Sequence, residues 1–269
     1  MNILVCVKQV PDSNEIKIDP ETNTLMRQGV PSIVNPFDGY ALEAAARIKD
    51  KDADGTRIVV LSMGPQQAEV ALRECLAIAA DKAYLVTDRK FGGSDTLATS
   101  YILSKAIEKV EELEGRKFDA IFCGKQATDG DTAQVGPELA EHLGYPQVTY
   151  GLEVTAESDG LHVCREAEDG TEIIGVQTPC LVTFTKPSFD PRFPTIKRKL
   201  AARKQEIPHL TIEELTNIDQ THIGLKGSPT RVKRTFVPPR KKSGVVIKEE
   251  TGEASAQKLY EMLCNAHVI

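Results

Sequence analysis

Polar segments that follow apolar runs hold the residues of this chain best suited to bind a ligand. The most informative segment is residues 124–136, GKQATDGDTAQVG, where a strand is predicted to end at Gly124 and a helix to begin near Thr132. The amides of a first helical turn lack partners within the helix, and they point outward with the positive end of the helix dipole. We therefore expect residues 132–135 to form an anion seat that suits a nucleotide phosphate.

Other residue types in this segment fit the same ligand. Gly130 lets the backbone come close to a ligand, and the Thr132 hydroxyl and the Gln134 amide add donors. Asp129 and Asp131 would repel a phosphate, so we expect them to cap the helix, bind ribose or shape the loop. The segment matches neither Gly-x4-Gly-Lys-Ser/Thr nor Gly-x-Gly-x-x-Gly, so an ordinary capped helix stays open as an alternative.

Further segments are expected to meet residues 124–136, because ligands of open α/β sheets bind beyond the carboxyl ends of the strands. They are residues 6–9, 35–38 and 62–65. Asn35 has an amide that could read an adenine edge, although an Asx turn before a helix explains it equally well. Cys6 and Met63 would supply strand-end backbone groups and apolar walls, unless they are simply core residues.

No set of side chains in the sequence forms a recognisable catalytic constellation. The five histidines lie outside these segments, and neither a Ser/His/Asp arrangement nor a carboxylate pair can be placed. A nucleotide seat without acid–base groups is typical of a protein that holds a cofactor and leaves the chemistry to it. The six cysteines form no CxxC or Cys/His cluster, so we expect no metal site and reduced thiols in a cytoplasmic protein.

Composition and charge favour a globular protein with a docking surface. Apolar residues make up 41% and charged residues 27% of the chain. No apolar run approaches the ~20 residues that span a bilayer, and the first residues carry no basic leader, so neither a membrane span nor a secretory signal is expected. Residues 186–204 hold seven Lys/Arg against one acid, and residues 231–242 hold six against none, on a chain of net charge −6. Neither segment interleaves aromatic residues as single-strand binders do, so partner docking, or a solvated basic face, is favoured over nucleic-acid binding.

The elements that must position these residues alternate between strands and helices. Nearly continuous apolar runs predict strands buried on both faces, as in a parallel sheet, at residues 3–10, 57–63, 82–87 and 119–123. The helices between them are predicted to begin near Asp38, Pro65, Ser94 or Asp95, and Asp131 or Thr132. The last of these helices is predicted to stop at Gly144. This alternation predicts an α/β fold with a doubly wound, mostly parallel sheet.

After residue 150 the pattern changes. Turn signals at residues 157–160 and 169–170 predict an antiparallel addition, and residues 180–185 predict one more buried strand. A final amphipathic helix over residues 255–266 either embraces another subunit or folds back on its own domain. We divide the chain into a nucleotide-binding α/β domain, a basic docking loop and a long C-terminal arm, at residues 1–185, 186–204 and 205–269.

Taken together, these blocks resemble the β subunit of electron transfer flavoproteins along essentially the whole chain. They read VCVKQVPD at residues 5–12, NPFD at 35–38, SMGP at 62–65, GKQATDGD at 124–131 and PRFPTIKRK at 191–199. The resemblance implies a Rossmann-like α/β domain whose C-terminal arm wraps around an α subunit that carries one FAD. It also implies that the β subunit holds AMP in ordinary members, and a second FAD in the same place in electron-bifurcating members.

Carried over by motif position, the resemblance implies a set of cofactor contacts in the strand-end segments. Asp95 and Thr96 join this set because residues 91–99 resemble the bifurcating group, where they would help hold the diphosphate or ribityl part of FAD. The full set is Cys6, Asn35, Pro36, Phe37, Asp38, Met63, Asp95, Thr96, Gly124, Lys125, Gln126, Ala127, Thr128, Asp129, Gly130, Asp131, Thr132, Ala133, Gln134 and Val135. No residue is assigned a catalytic role, since the flavin does the chemistry, and no metal is expected.

Residues 129–136, DGDTAQVG, also look like the bifurcating version of the family. Ordinary members usually have a more acidic turn followed by Cys- or Asn-like residues. The implied activity begins with hydride delivery from NADH to the β-subunit FAD. One electron then passes through the α-subunit FAD to an acyl-CoA or hydroxy-acid dehydrogenase, and the other to ferredoxin or flavodoxin. The main alternative is an ordinary electron carrier in which the β subunit holds structural AMP.

The basic loop at residues 186–204 aligns with the family's docking loop for the dehydrogenase. Ile196 is expected to enter a partner pocket, with Arg192, Lys197 and Arg198 as rim charges that steer the encounter. Two other classes stay open. A nucleotide-binding sensor of the universal-stress type shares the strand–helix alternation but would not need the arm. A nucleic-acid binder would use the basic segments and show steep salt dependence.

Overall fold

A computed structural model describes residues 1–12, 31–233 and 244–269 of the chain. The strands are β1 (Asn2–Cys6), β2 (Gln9–Pro11), β3 (Ser32–Val34), β4 (Arg57–Met63), β5 (Lys82–Val86), β6 (Ala120–Gly124), β7 (Gln147–Glu157), β8 (Gly160–Ala167), β9 (Gly170–Val176), β10 (Cys180–Phe184) and β11 (His209–Leu210). The α-helices are α1 (Pro36–Lys51), α2 (Glu69–Ile78), α3 (Thr96–Glu114), α4 (Val135–Leu143), α5 (Ile196–Lys204), α6 (Gly224–Gly227) and α7 (Gly252–Asn265). Single 3₁₀ turns lie at Gln66–Ala68, Arg89–Phe91 and Gln220–His222.

Most of the strands form one sheet, in the order β11-β5-β4-β1-β6-β10-β7-β8-β9. Neighbours from β11 to β7 run parallel, and β8 and β9 add to this sheet antiparallel. Strand β1 lies between β4 and β6, with Val5 opposite Val60 and Phe122. The prediction of a mostly parallel α/β sheet with an antiparallel addition is therefore confirmed.

Helices cover both faces of the sheet because successive strand side chains point to opposite sides. Ile3 and Val5 of β1 belong to a core with α1 and α2, whereas Leu4 belongs to a second core with α3 and α4. All three side chains have no exposed surface. A strand buried on both faces needs an unbroken apolar run, which is the pattern seen in the sequence.

The first predicted strand, residues 3–10, is in fact two strands. Strand β1 ends at Cys6, and residues 9–11 pair antiparallel with β3 in a separate two-stranded sheet. The chain thus leaves the main sheet at Val7 and Lys8, and this exit places Lys8 at the carboxyl edge.

Three helices begin away from their predicted positions. Helix α2 starts at Glu69, after the 3₁₀ turn at Gln66–Ala68, instead of near Pro65. Helix α1 starts at Pro36 with Asn35 as its N-cap residue, and Asp38 is a buried residue of its first turn. Proline is favoured at a first helical position, so the Asn-Pro pair decides this start. Helix α4 starts at Val135 instead of near Thr132.

Two predicted helix termini are confirmed. Asp95 is the N-cap residue of α3, and its carboxylate accepts a hydrogen bond from the amide of Ala98. Helix α4 ends at Gly144, which adopts a left-handed conformation with φ of 67°. Glycine enters this conformation without the steric cost that a Cβ atom imposes.

The C-terminal part of the chain begins inside the domain. Strand β11 pairs parallel with β5 at the edge of the sheet, so the arm proposed to start at residue 205 first extends the sheet. Residues 219–230, which we call the strap, then run beside α3 and contain α6. Residues 234–243 lie outside the described part of the chain, and α7 follows them.

Candidate nucleotide-binding site

A cleft of about 710 Å³ opens at the carboxyl ends of β1, β4 and β5. This volume lies within the range of roughly 300–1,000 Å³ that is usual for ligand pockets. Of the predicted cofactor contacts, Met63 and Asp129 line it, and so do Gly92, Gly93 and Ser94 of the neighbouring loop. The parallel strands thus deliver loops from distant parts of the chain to one edge, as open α/β sheets do.

Two cations at the cleft were not among the predicted contacts. Lys8 follows β1, and Arg89 lies in the 3₁₀ turn after β5; both line the cleft. The Lys8 Nζ atom forms an ion pair of 2.6 Å with Asp129 Oδ1. Lys8 lies in the segment of residues 6–9, but strand alternation alone does not tell which side chain of that segment faces a ligand.

Asp38 joins the segment of residues 6–9 to the start of the loop at residues 124–136. One carboxylate oxygen accepts the amide of Lys8 at 2.7 Å, and the other accepts the amide of Gly124 at 3.0 Å. The residue is only 7% exposed, so its carboxylate fixes the backbone of both segments and does not itself line the cleft. A Cβ atom on Gly124 would lie 2.4 Å from Asp38 Oδ1, which explains the glycine at this strand end.

Burial sets the charge state of Asp38. Loss of hydration raises the pKa of this carboxyl to about 7, and the hydrogen bonds from Lys8, Asn35 and Gly124 lower it by less. A carboxyl so placed titrates close to neutral pH, where a change of charge acts directly on both segments that it holds.

Asn35 holds the middle of the loop in the same way. Its amide nitrogen donates to the carbonyl of Gln126 at 2.8 Å, and its amide oxygen accepts the amide of Thr128 at 3.2 Å. The residue is 1% exposed. The suggestion that this amide reads an adenine edge therefore needs correction, because both of its polar atoms already bind the loop.

Residues 129–135 form the part of the loop that faces outward. Asp131 and Ala133 adopt positive φ angles of 52° and 54°, a conformation that no helix contains, and this delays the start of α4. Gln126 donates to Asp131 at 2.7 Å, while the carbonyl of Ala127 accepts the amides of Gly130 and Asp131.

The amides of this segment suit an anion. Among the described residues, no acceptor contacts the amides of residues 132–136. Ala133 has a positive φ and Gln134 follows with φ of −104° and ψ of −33°. Such alternation turns successive N–H groups toward one concavity, a nest that binds phosphate, and the N-terminus of α4 adds its dipole. The residues present therefore fit a nucleotide phosphate.

Lys125 lies between aromatic rings beside this loop. Its ammonium group is 5.5 Å from the ring centre of Phe37 and 5.4 Å from that of Tyr150. Its amide donates to the carbonyl of Phe184 at the end of β10. Phe37 and Lys125 thus support the loop from its outer side, next to the helix start at Pro36.

Cys6 and Met63 end their strands at the same edge. Cys6 is partly exposed, and it lies against the buried Cys123, whose thiol pKa is raised by a hydrogen bond with Cys6 and by burial. All six cysteines are free thiols. Their position makes Cys6 and Met63 apolar neighbours of the cleft.

Asp95 and Thr96 lie at the N-terminus of α3, and both have partners within the protein. One Asp95 oxygen accepts the amide of Ala98, and the other accepts the amide and hydroxyl of Thr230 at 2.9 and 2.8 Å. Burial raises the pKa of Asp95, but these hydrogen bonds outweigh it and hold the pKa below its usual value. The Thr96 hydroxyl contacts Gln134 at 3.3 Å and Glu138 at 3.1 Å, which links α3 to α4.

The strap packs against the loop of residues 91–95, which precedes α3. The side chain of Leu225 packs where a Cβ atom of Gly93 would lie, and Gly93 has φ of 76°. Ser94 Oγ accepts the amide of Gly224 at 3.1 Å, and Ser228 Oγ accepts the amide of Asp95 at 2.9 Å. Asp95 therefore attaches the strap to residues 91–94, which line the cleft. Hydrophobic periodicity in the sequence does not predict this role.

The predicted docking residues differ in their surroundings. Ile196 is 79% exposed and Lys197 is also exposed. Arg192 instead forms ion pairs with Glu43 and Asp50 at 2.8 and 2.7 Å. Arg198 donates to backbone carbonyls at the end of α2. Neither arginine is a free rim charge. Of the second basic segment, residues 234–242 lie outside the described residues.

Two features are absent from the described part of the chain. Within residues 1–12, 31–233 and 244–269, no three His, Cys, Asp or Glu side chains converge as a metal site. No helix in these ranges is long and apolar enough to cross a membrane.

Comparison with known proteins decides the family. The model of the electron transfer flavoprotein domain matches residues 22–215. The chain belongs to the electron transfer flavoprotein family. It is 53% identical over 270 residues to electron transfer flavoprotein subunit beta of Thermoanaerobacterium thermosaccharolyticum, covering 100% of both chains. It is 52% identical over 257 residues to the subunit beta of Megasphaera elsdenii, covering 95% of this chain and 94% of the relative.

A third electron transfer flavoprotein relative has a more specific name. The chain is 48% identical over 269 residues to the caffeyl-CoA reductase-Etf complex subunit CarD of Acetobacterium woodii, covering 100% of both chains. Similarity of this extent along the whole sequence identifies our protein as a β subunit of the family.

Proposed function

We propose that this chain is the β subunit of an electron-bifurcating electron transfer flavoprotein and that its cleft holds FAD. A bound FAD supplies the redox chemistry, which is acceptance of a hydride from NADH and separation of its two electrons between ferredoxin or flavodoxin and a second FAD on the α subunit. The alternative within the family is an ordinary electron carrier whose β subunit holds AMP.

The observation that carries the proposal is a phosphate nest that begins three residues after Asp129, the residue of this loop that lines the cleft. Residues 132–136 present amides without an acceptor among the described residues, and Lys8 and Arg89 line the cleft together with Asp88 and Asp129. Residues 91–94, from the block that resembles the bifurcating group, line the same cleft as Lys8 and Asp129. This continuity supports a ligand longer than AMP.

The chain's own residues would bind and orient the cofactor. Amides of the nest would hold phosphate oxygens, the loop over Asn35 and Asp38 would fix their positions, and Met63 would pack against an apolar part of the ligand. The described residues offer no proton-transfer constellation at the cleft, so we assign no catalytic residue of this chain.

The exposed surfaces support docking of other proteins. We propose that α7 and the arm bind the α subunit, and that Ile196 docks an acyl-CoA or hydroxy-acid dehydrogenase, with the surrounding cations steering its approach. We further propose a cytoplasmic location, which the free thiols support.

The decisive experiment is extraction and chromatography of nucleotides from the co-purified αβ complex. Two FAD per heterodimer support bifurcation, and one FAD with one AMP would make this an ordinary carrier and contradict our assignment. Oxidation of NADH by the complex, with ferredoxin reduced only when a dehydrogenase and its substrate are present, tests the activity itself.

A matched pair of variants tests the nest. Asp131→Pro removes an amide next to the nest and fixes φ at a negative value, so we expect loss of the β-site nucleotide with the α-subunit FAD retained. Asp159→Pro changes an exposed turn far from the cleft and serves as the control. Equal nucleotide content in both variants would show that the nest does not bind the cofactor.

A further inference from the structure

Helix α5 packs beside α2 and carries the exposed apolar side chains of the proposed docking surface, but it buries little apolar surface of its own. Ile196 and Leu200 are 79% and 54% exposed, and Phe193 just before the helix is 91% exposed. Of the nine residues of α5, all of them described, only Ala202 is buried. Apolar burial therefore does not fix the direction in which this helix points.

Two arginines instead fix the direction of α5 by hydrogen bonds to carbonyls at the C-terminal ends of α2 and α5. The Arg198 guanidinium donates to the carbonyls of Leu76, Ala77 and Ala80 at 3.1, 3.2 and 3.1 Å. These carbonyls lie at or just beyond the C-terminus of α2, where a helix leaves its last carbonyls without internal partners. A charged donor also interacts favourably with the negative end of the helix dipole.

A second arginine makes the same contact in the opposite direction. Arg73 of α2 donates to the carbonyls of Ala202 and Gln205 at 3.1 and 3.0 Å, which lie at the C-terminus of α5. Glu69, one turn earlier on α2, holds the Arg73 guanidinium at 3.1 Å. Each helix thus supplies the cap of the other.

The spacing along α5 separates the capping residue from the apolar ones. Ile196 and Leu200 are four residues apart and share one face of the helix. Arg198 lies two residues from each, which is about 200° around the axis, on the opposite side. The side of α5 held by arginine is therefore opposite to the side that presents the apolar residues.

We propose that Arg73 and Arg198 are positioning residues of the docking surface, and that this reciprocal capping sets the angle at which Ile196 and Leu200 meet a dehydrogenase. The inference rests on the docking role proposed above. It replaces the expectation that Arg198 acts as a rim charge. The partner it fits has an apolar pocket with acidic groups around it, because the exposed face carries Lys197 and Lys199 beside the apolar residues.

Charge and geometry can be separated by two substitutions. Arg198→Lys keeps the charge but loses the planar fork that reaches several carbonyls. Lys197→Met removes a charge from an exposed neighbour that caps nothing among the described residues. Arg73→Lys tests the capping of α5 by α2. Arg73 lies on α2 and not on the face of α5 that would meet the partner.

The experiment uses the αβ complex with two purified probes, a short-chain acyl-CoA dehydrogenase and a flavin-dependent hydroxy-acid dehydrogenase. Affinity is measured by titration at several salt concentrations, and hydrogen exchange reports on the amides of α5. For the probe that binds, we expect Arg198→Lys and Arg73→Lys to weaken binding about tenfold with the wild-type salt slope, and to speed exchange in α5. Lys197→Met is expected to reduce the salt slope, to weaken binding about threefold, and to leave exchange unchanged.

Other outcomes are distinguishable. Wild-type affinity and wild-type exchange in both arginine variants would overturn the inference. It would also be overturned if these variants lost affinity only through a reduced salt slope, with exchange in α5 unchanged. If Ile196→Ala leaves binding unchanged, the docking role itself fails, whatever the arginines do. Urea midpoints and nucleotide content identify a variant that has merely misfolded.

Discussion

The proposed nucleotide edge (residues 6–9, 35–38 and 124–136) and the proposed docking surface on α5 are held in place by opposite means. At the nucleotide edge, Asp38 and Asn35 are 7% and 1% exposed, and each binds backbone groups of a distant segment. At the docking surface, Ile196 is 79% exposed, and the partly exposed Arg73 and Arg198 hold the helix that carries it. The first region is complete within the chain, whereas the second presents side chains that have no partner among the described residues.

This difference separates two kinds of functional surface. Buried polar groups must be satisfied, so they define one backbone geometry and make a loop rigid before any ligand arrives. Exposed apolar groups gain their energy only when a partner removes them from water. Substitutions at the nucleotide edge are therefore expected to act on the free chain, and those at the partner surfaces on its complexes.

The largest effect is expected for Asp38→Ala. It leaves the amides of Lys8 and Gly124 without their acceptor, at about 1–3 kcal/mol for each buried group. We expect the free energy of unfolding to fall by about 2–5 kcal/mol and the affinity of the complex for added AMP or FAD to fall more than tenfold. Urea denaturation and calorimetric titration measure the two quantities. Asp54→Ala, at an exposed loop residue, is the control, and equal losses in both variants would show that Asp38 does not fix the two segments.

The next effect is a pH dependence of stability from the same residue. Burial raises the pKa of Asp38 from 3.8 to about 7, so between these values the folded chain binds more protons than the unfolded chain. Stability contributed by this group is present below about pH 4 and is lost as the pH rises through about 7. We expect the free energy of unfolding of the wild type, relative to that of Asp38→Asn, to fall by more than about 1 kcal/mol over this window. A difference that rises with pH would mean that the amide donors lower the pKa of Asp38 by more than burial raises it.

A moderate effect is expected for Asp95→Ala. It removes the N-cap of α3, worth about 1 kcal/mol, together with the acceptor of the Thr230 amide and hydroxyl. We expect faster hydrogen exchange in residues 219–230, because the strap loses its attachment to the cleft wall. Thr230→Val loses only the hydroxyl contact and is expected to give a smaller change. Unchanged exchange in Asp95→Ala would show that the strap is held elsewhere.

The smallest effect on the free chain is expected for Leu259→Ser with Met262→Ser. These side chains are 48% and 37% exposed, and none of the 14 residues of α7, all of them described, is buried. The free energy of unfolding of the β chain is expected to stay within about 0.5 kcal/mol, while the affinity for the α subunit falls. Glu261→Ser is the matched polar control. A loss of stability above about 1 kcal/mol would instead show that α7 packs on its own domain.

Sequence alone predicts the central sheet well, because its cause is local. Unbroken apolar runs such as residues 57–63 are possible only where both faces of a strand are covered, and β4 spans these residues. The caps at Asp95 and Gly144 can be predicted equally well, since a helix cap depends on one residue and its own neighbours. The two residues of β11 show no periodicity, and their strand exists only because β5 offers an open edge.

The candidate site is less predictable, because distant contacts decide it. Asp38 has the sequence of a capping residue, and its actual role is set by the amide of Gly124, 86 residues away. Ala133 carries no sign of a left-handed conformation, yet its φ of 54° delays α4 and shapes the nest. The roles of Arg73 and Arg198 likewise depend on carbonyls more than a hundred residues apart in the chain.

The hydrogen bond from the Lys125 amide to the Phe184 carbonyl bears on the order of events during synthesis. This contact, like the pairing of β6 with β10, cannot form until the ribosome has made the chain through residue 184. We therefore expect this loop to take its final form late, after β6 and β10 have paired, and the proposed cofactor to load only onto a nearly finished domain. Helix α7 emerges later still, so subunit pairing by this helix would begin only after the nucleotide pocket has been built.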